Sequence, residues 1–201
     1  MERSVRHPRR PTDSGTSLVE AVVGLCIAAI LASLAAPVTA SALDEGRVRN
    51  AAAFLAARLR EARQQAVTRS RATGMVFDAV GDRWIFRVCT DGNGDGLRRA
   101  DLRVGIDGCA GASDDLAVLF PGVTVAVDGT IRGPDDDPPT SDPVRFGSSD
   151  IASFSPAGGC TSGSIFLRSS KGSQYAVRIA GITGRMRVLR YDTGISEWSE
   201  P

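Results

Sequence analysis

The stretch GTSLVEAVVGLCIAAILASLAAPVTASA, residues 15–42, is the most informative part of this sequence. It is apolar almost throughout, with a single carboxylate, Glu20, close to its start. Such a segment is typical of a helix that is apolar on every side and needs apolar surroundings. An ionised carboxylate beside that helix is costly unless it finds a partner, so Glu20 indicates a specific role.

One interpretation of this stretch is an ordinary secretory signal peptide. Arginines precede it, and the small residues ASA at positions 40–42 are typical of a cleavage site. The chain would then be an ordinary secreted β-domain, cut near Ala42. The carboxylate of Glu20 argues against this interpretation, because a signal peptide has no use for a charge beside its apolar core.

A second interpretation places the cut before the apolar run. Residues 15–20, GTSLVE, resemble the prepilin signal, in which a basic leader ends in glycine before a segment of the pattern [FTM]-[ST]-L-[IV]-E. The resemblance implies that a prepilin peptidase cuts after Gly15 and that the new first residue, Thr16, is N-methylated. It also implies that Glu20 pairs with the N-terminal ammonium group of a neighbouring subunit during filament assembly. Pro37 stands where many pilins have a helix-bending proline.

This second interpretation divides the chain into four segments. Residues 1–15 are expected to be a cleaved leader, and residues 16–42 the membrane-spanning part of a stalk helix. Residues 43–72 are expected to continue that helix as its amphipathic soluble part, before a globular β-rich head at residues 73–201. The expected localisation is the cell inner membrane, with a single span and the C-terminal head in the periplasm.

Helical periodicity continues beyond the apolar run. Apolar residues recur at steps of three and four, which predicts one buried stripe on an amphipathic helix. The stripe comprises Val48, Ala51, Ala52, Leu55, Leu59, Ala62 and Ala66. The resemblance to pilins implies that this half of the helix contacts other pilin subunits.

After Gly74 the apolar period changes to two, in short runs such as MVFDAV, RWIFRVC and YAVRIA. Short runs separated by Gly, Asp and Pro are typical of an antiparallel β-sandwich or of paired sheets. The expected fold class is therefore α+β, with a long pilin-like stalk helix packed on an antiparallel, sandwich-like head. Residues 130–143, TIRGPDDDPPTSDP, are expected to form a mobile surface loop.

The cysteines indicate a disulfide in the head and an oxidising compartment. Cys26 lies in the apolar helix, and the three other cysteines cannot all pair. A bond between Cys89 and Cys109 would close the polar loop between them at its base and leave Cys160 free. Pairing of Cys89 with Cys160 is the alternative.

Metal binding and catalysis receive little support. The segment DGNGDGLRRADL begins like a calcium loop, with Asp91, Asn93 and Asp95 as oxygen ligands. Its twelfth residue is Leu102, where such a loop needs a bidentate glutamate, so a plain turn is the preferred interpretation and no cofactor is expected.

The only histidine, His7, lies in the leader, so no catalytic set can be assembled and the chain is not expected to be an enzyme.

Four segments of the chain carry a more specific resemblance: LREARQQAVTRSRATGMVF, DGNGDG, FSPAGG and YAVRIAGITGRMRV. Together they resemble the GspH/FimT family of minor pseudopilins and minor type IV pilins. The resemblance implies a structural subunit of a type II secretion system, at the tip of a periplasmic pilus-like filament that drives protein export. The implied partners are the prepilin peptidase, other minor and major pseudopilins or pilins, and the inner membrane.

The alternative within this family is a FimT-like minor type IV pilin that binds DNA for uptake in natural transformation. The candidate DNA-binding residues are Arg178, Arg185, Arg187 and Arg190. In RMRVLRY, a period of two places Arg185 and Arg187 together on the solvent face of a strand. The matching G-R-x-R segment of the FimT branch is implicated in DNA binding, which needs little more than such a cluster. A charged strand that discourages aggregation between sheets is the competing explanation.

Overall fold

The structure, a computed structural model, describes residues 17–201, apart from the side chains of residues 34–38. The predicted cleavage site at Gly15 and Thr16 and the leader before it lie outside the described residues, as does the side chain of Pro37. The chain forms two compact units, of which the first ends at Ala40 and the second comprises Ser41–Pro201.

The first element, α1, is an uninterrupted helix of 52 residues, Leu18–Arg69. Within the first unit its side chains from Leu18 to Ser33 are all exposed to solvent. Within the second unit one side of the same helix is buried and the other exposed. The two halves of α1 therefore have different surroundings, as their sequence patterns predict.

The expectation that the first half of α1 spans a membrane is wrong. In the described part of the chain, no helix combines the length and the apolarity needed to cross a bilayer. The apolar run begins only after Glu20 and ends at Ala36, where Pro37, Thr39 and Ser41 follow, so it falls short of the roughly 20 residues that a spanning helix needs. The expected single-pass localisation in the inner membrane is wrong for the same reason.

The second unit is β-rich, so the described chain is α+β. The first of its two sheets, sheet A, has four antiparallel strands in the order β3-β2-β1-β6. These strands are β1 (Thr73–Val80), β2 (Arg83–Thr90), β3 (Gly108–Asp115) and β6 (Ile151–Phe154). A short helix, α2 (Arg99–Val104), lies between β2 and β3 in the chain, and α3 (Leu116–Leu119) follows β3.

The second sheet, sheet B, is antiparallel and carries the C-terminal half of the second unit. Its strand order is β10-β9-β8-β7-β4, and β5 also pairs with β7. The strands are β4 (Val123–Thr124), β5 (Val144–Arg145), β7 (Gly163–Ser169), β8 (Gln174–Ala180), β9 (Arg185–Asp192) and β10 (Glu197–Ser199).

The main core of the second unit lies between α1 and the two sheets. All seven residues of the predicted helical stripe are 0% exposed, and Ala56 joins them. They belong to one cluster with aromatic residues of the strands and loops, including Phe77 and Phe146, whose rings stack at 5.7 Å. The stripe is therefore covered by the chain's own sheets, and in this conformation it is not available to another subunit.

The disulfide prediction is confirmed: Cys89 and Cys109 are bonded. They lie opposite each other on β2 and β3, so the bond closes the segment that contains α2. Cys160 is a free thiol, and its sulfur donates to the carbonyl oxygens of Ala180 and Gly181 at 3.5 and 3.3 Å. The alternative pairing of Cys89 with Cys160 is thereby excluded.

Candidate functional site

Three of the four candidate arginines share one face of sheet B. Arg178 on β8 lies directly opposite Arg187 on β9, and Arg185 lies two residues before Arg187 on the same strand. Opposed residues of antiparallel strands point to the same side, and so do alternate residues of one strand. We call the surface formed by Arg178, Arg185 and Arg187 the arginine face.

Arg190 does not belong to the arginine face. It points to the opposite side of β9, where its Nε donates to Oε1 of Glu45 on α1 at 2.9 Å. The same Glu45 oxygen accepts a hydrogen bond from the hydroxyl of Tyr175 at 3.3 Å. Arg190 therefore fastens the helix to the sheet and does not share a face with the other three candidate arginines.

The arginines of this face differ in how their charges are compensated. Arg178 pairs with Asp135 and its side chain is only 16% exposed. Arg185 lies 3.6 Å from Glu200 with both side chains largely exposed, a kind of pair that contributes little stability. Arg187 has no acidic partner among the described residues. The open positive charge of the arginine face thus lies on β9.

Asp135 belongs to residues 130–143, which we call the acidic loop. This loop is attached to sheet B: the indole nitrogen of Trp198 donates to the carbonyl oxygen of Arg132 at 2.7 Å, and Nη2 of Arg145 donates to that of Thr140 at 3.3 Å. Beside it, Trp198 packs against a small buried cluster on the outer side of the sheet. That cluster comprises Val127, Phe166, Ala176 and Leu189.

Two contacts that fasten α1 to sheet B have no signal in the sequence, and the first is made by Asp44. Its carboxylate accepts hydrogen bonds from Oγ of Ser170 at 2.7 Å and from the backbone N–H of Lys171 at 3.3 Å. Burial alone would raise the pKa of Asp44, but bonds from the Ser169 and Ser170 hydroxyls and from Lys171 hold it below the usual value. The bound form is ionised, so this contact is complete above about pH 4 and weakens as the pH falls further.

The second contact is made by Arg63, which binds the turn before β9. Its guanidinium donates to the carbonyl oxygens of Gly184 at 3.0 Å and Thr183 at 3.3 Å. Gly184 has φ +62°, and a Cβ there would lie 2.8 Å from the guanidinium carbon of Arg63. The positive φ of this turn favours the glycine of the G-R-M-R segment, whereas a Cβ would meet only the flexible end of the Arg63 side chain.

The DGNGDG segment forms a turn organised by Asp91. This carboxylate is 4% exposed and accepts backbone N–H bonds from Asn93, Gly94 and Gly96 at 3.1, 2.7 and 2.9 Å. Burial raises the pKa of Asp91, but these N–H donors lower it below the usual value. The Asp91 oxygens thus hold the loop in shape, and Oδ1 of Asn93 accepts a further bond from the N–H of Asp95. Among the described residues there is no cluster of His, Cys, Asp or Glu that could hold a metal ion.

Glu20 lies in the first turn of α1 and is exposed. Around it, apolar side chains are exposed on all sides of the helix, each with 49% to 80% of its surface accessible to solvent. These are Leu18, Val19, Val22, Val23, Leu25, Ile27, Ile30 and Leu31. We call residues 18–31 the exposed apolar segment; Glu20 is its one charged residue.

Comparison of the chain with protein-family models, with curated proteins and with solved structures found no match. Two surfaces of the chain remain as candidates for contact with other molecules, the exposed apolar segment and the arginine face.

Proposed function

We propose that this chain is a structural subunit of a pilus-like filament, a minor pseudopilin of type II secretion that resembles the GspH/FimT family. The observation that carries the proposal is the exposed apolar segment of α1. Folded proteins rarely leave a large contiguous apolar surface open to water. A helix that is apolar on all sides is normally surrounded by apolar partners, and helices of neighbouring subunits in a filament would supply them.

The two halves of α1 are suited to two different roles, contact with other subunits and attachment of the chain's own sheets. The stripe on the second half is occupied inside the chain's own second unit, so it holds the β-rich unit on the helix. The first half has no such cover among the described side chains, and it carries one carboxylate that calls for a cationic partner. A charge that is neutralised only in the correct arrangement selects the register of assembly.

A charge placed in the exposed apolar segment tests the proposal. Leu25 is 71% exposed in the isolated chain, but in a filament it would be enclosed by other helices. Leu25→Glu should therefore prevent incorporation, because a charge enclosed without a partner costs several kcal/mol. The measurement is the recovery of an epitope-tagged chain in the sheared-filament fraction, relative to the wild type.

Ala57→Glu is the matched control, since residue 57 lies on the exposed side of α1 in the second unit. It adds the same charge to the same helix and should leave recovery unchanged. Equal recovery of both variants at the wild-type level would show that the exposed apolar segment makes no contact in a filament.

A second candidate function is DNA binding, as in a minor pilin for DNA uptake. The observation that favours it is the position of Arg178, Arg185 and Arg187 on one face of sheet B. Contacts between arginine and phosphate need only such a cluster, and they give binding that is independent of sequence and sensitive to salt.

Replacement of Arg185 and Arg187 by Ala tests this second function. The polypeptide Ser41–Pro201, which contains all three core clusters, is titrated with labelled duplex DNA from low to physiological salt. The wild type should bind with a Kd of about 10⁻⁶–10⁻⁴ M, and the double variant should flatten the log–log salt slope by about two units. The control Arg60→Ala, Arg69→Ala removes two exposed arginines of α1 and should leave the slope unchanged. Absence of binding by the wild type at low salt would exclude this function.

A further inference from the structure

The tip of the acidic loop, residues 133–137, contacts the arginine face through Asp135. We propose that this tip is an autoinhibitory contact, which occupies Arg178 and must release it before a phosphate backbone can bind the whole arginine face. The inference rests on the second candidate function, DNA binding, and specifies how that surface is regulated.

The position of the ion pair is the first observation in its favour. Asp135 pairs with Arg178, the arginine that stands directly opposite Arg187 in the β8–β9 register. Arg178 is 16% exposed, although it lies on the outer face of the sheet, whereas Asp135 remains 43% exposed. The acid therefore covers the cation from the solvent side, which is also the side from which DNA would approach.

The second observation is that the tip and the base of the loop are held differently. The base is attached through Trp198 and Arg145, as described above. The tip closes on itself through backbone bonds from Gly133 N–H to the Asp137 oxygen at 2.9 Å and from Asp136 N–H to the Gly133 oxygen at 3.0 Å. Besides the Asp135 pair, an electrostatic interaction of Asp137 with Arg145 links the tip to the sheet. Such a turn can keep its own shape when it leaves the sheet.

The third observation is the small net stability that the Asp135–Arg178 ion pair contributes. The Asp135–Arg178 pair is partly exposed, and exposed ion pairs contribute little net stability. A nucleic acid offers many phosphates and releases counterions on binding, so it competes with a single carboxylate most effectively at low salt. Release of the contact therefore costs little, but while it is intact Arg178 contributes no phosphate contact.

Neighbouring residues of the tip provide a matched pair of variants. Asp135→Asn and Asp136→Asn each remove one negative charge from the same turn. Asp136 pairs with Arg132 inside the loop rather than with the sheet, and its φ of +60° is one that Asn tolerates well. A difference between the two variants therefore reports the contact with Arg178 and not the net charge.

The experiment measures binding of labelled duplex DNA to Ser41–Pro201 as a function of salt, after circular dichroism has shown that each variant is folded. Asp135→Asn should bind about twofold to fivefold more tightly than the wild type, a range set by the modest strength of exposed ion pairs. Its salt slope should be steeper by about 0.9, because Arg178 gains a phosphate. Asp136→Asn should change affinity less than about twofold and leave the slope unchanged.

Addition of Arg178→Ala to Asp135→Asn should return the slope to the wild-type value. Equal behaviour of the two Asn variants, with wild-type binding still dependent on Arg185 and Arg187, would overturn the autoinhibitory contact and leave DNA binding in place. Absence of binding by every variant at low salt would overturn both the contact and the second candidate function.

Discussion

Glu20→Ala should lower incorporation of the chain into filaments by a large factor while leaving removal of the leader intact. In the proposed filament, the carboxylate of Glu20 neutralises the N-terminal ammonium group of a neighbouring subunit. Removing one partner of such an enclosed pair costs about 3–5 kcal/mol, which corresponds to a loss of more than about 100-fold in affinity. The measurement is the amount of mature chain in sheared filaments, compared with the amount in whole cells.

The matched control is Glu20→Asp, which keeps the negative charge on a shorter side chain. It should retain a substantial part of the wild-type incorporation, because the ammonium group still has an anionic partner. Incorporation of Glu20→Ala at the wild-type level would mean that the carboxylate has no role in assembly.

Leu59→Ala should destabilise the β-rich unit strongly. Leu59 lies in the middle of the helical stripe and is 0% exposed between α1 and the sheets. Truncation of a buried leucine leaves a cavity and typically lowers the free energy of unfolding by about 2–5 kcal/mol. That is a large part of the total for a single domain, which is about 5–15 kcal/mol. Urea unfolding of Ser41–Pro201 measures the difference.

Val67→Ala is the control, because Val67 lies on the same helix and is 52% exposed. It should change the free energy of unfolding by less than about 0.5 kcal/mol. A similarly small effect of Leu59→Ala would mean that the stripe is not packed on the sheets in solution and is free to contact another subunit.

Features with a strong local pattern could be predicted from the sequence. The stripe from Val48 to Ala66 follows the helical period and is buried as a unit. The change to a period of two after Gly74 marks the beginning of the strands, since β1 starts at Thr73. The bond between Cys89 and Cys109 could be predicted because few pairings were open and the two cysteines flank a single polar segment.

Features that depend on packing between distant segments could not be predicted in the same way. Arg190 lies in the same strand as Arg185 and Arg187, but the alternation of the strand sends it towards Glu45 on α1. Asp44 and Arg63 fasten the helix to turns that lie more than a hundred residues away in the chain. No local pattern identifies such partners.

For the acidic loop and the exposed apolar segment, the sequence predicts the type of structure but not the contacts that it makes. The composition of residues 130–143 predicts a surface loop, but it does not show that Asp135 pairs with Arg178. The apolar run after Glu20 predicts a helix, yet its length and its ends do not meet the requirements of a membrane span. Hydrophobicity shows that a helix needs partners, and the identity of those partners requires separate information.

The mature N-terminus is the most direct test of the central claim that this chain is a pilin-like filament subunit. Intact-mass and fragment spectra of the wild-type chain, isolated from cells together with its native processing machinery, should identify a methylated Thr16 as the first residue. Gly15→Glu should retain the leader, because a side chain at that position obstructs the peptidase. A first residue near Ser41 or Leu43, found in both the wild type and Gly15→Glu, would contradict the account and identify an ordinary secreted β-domain.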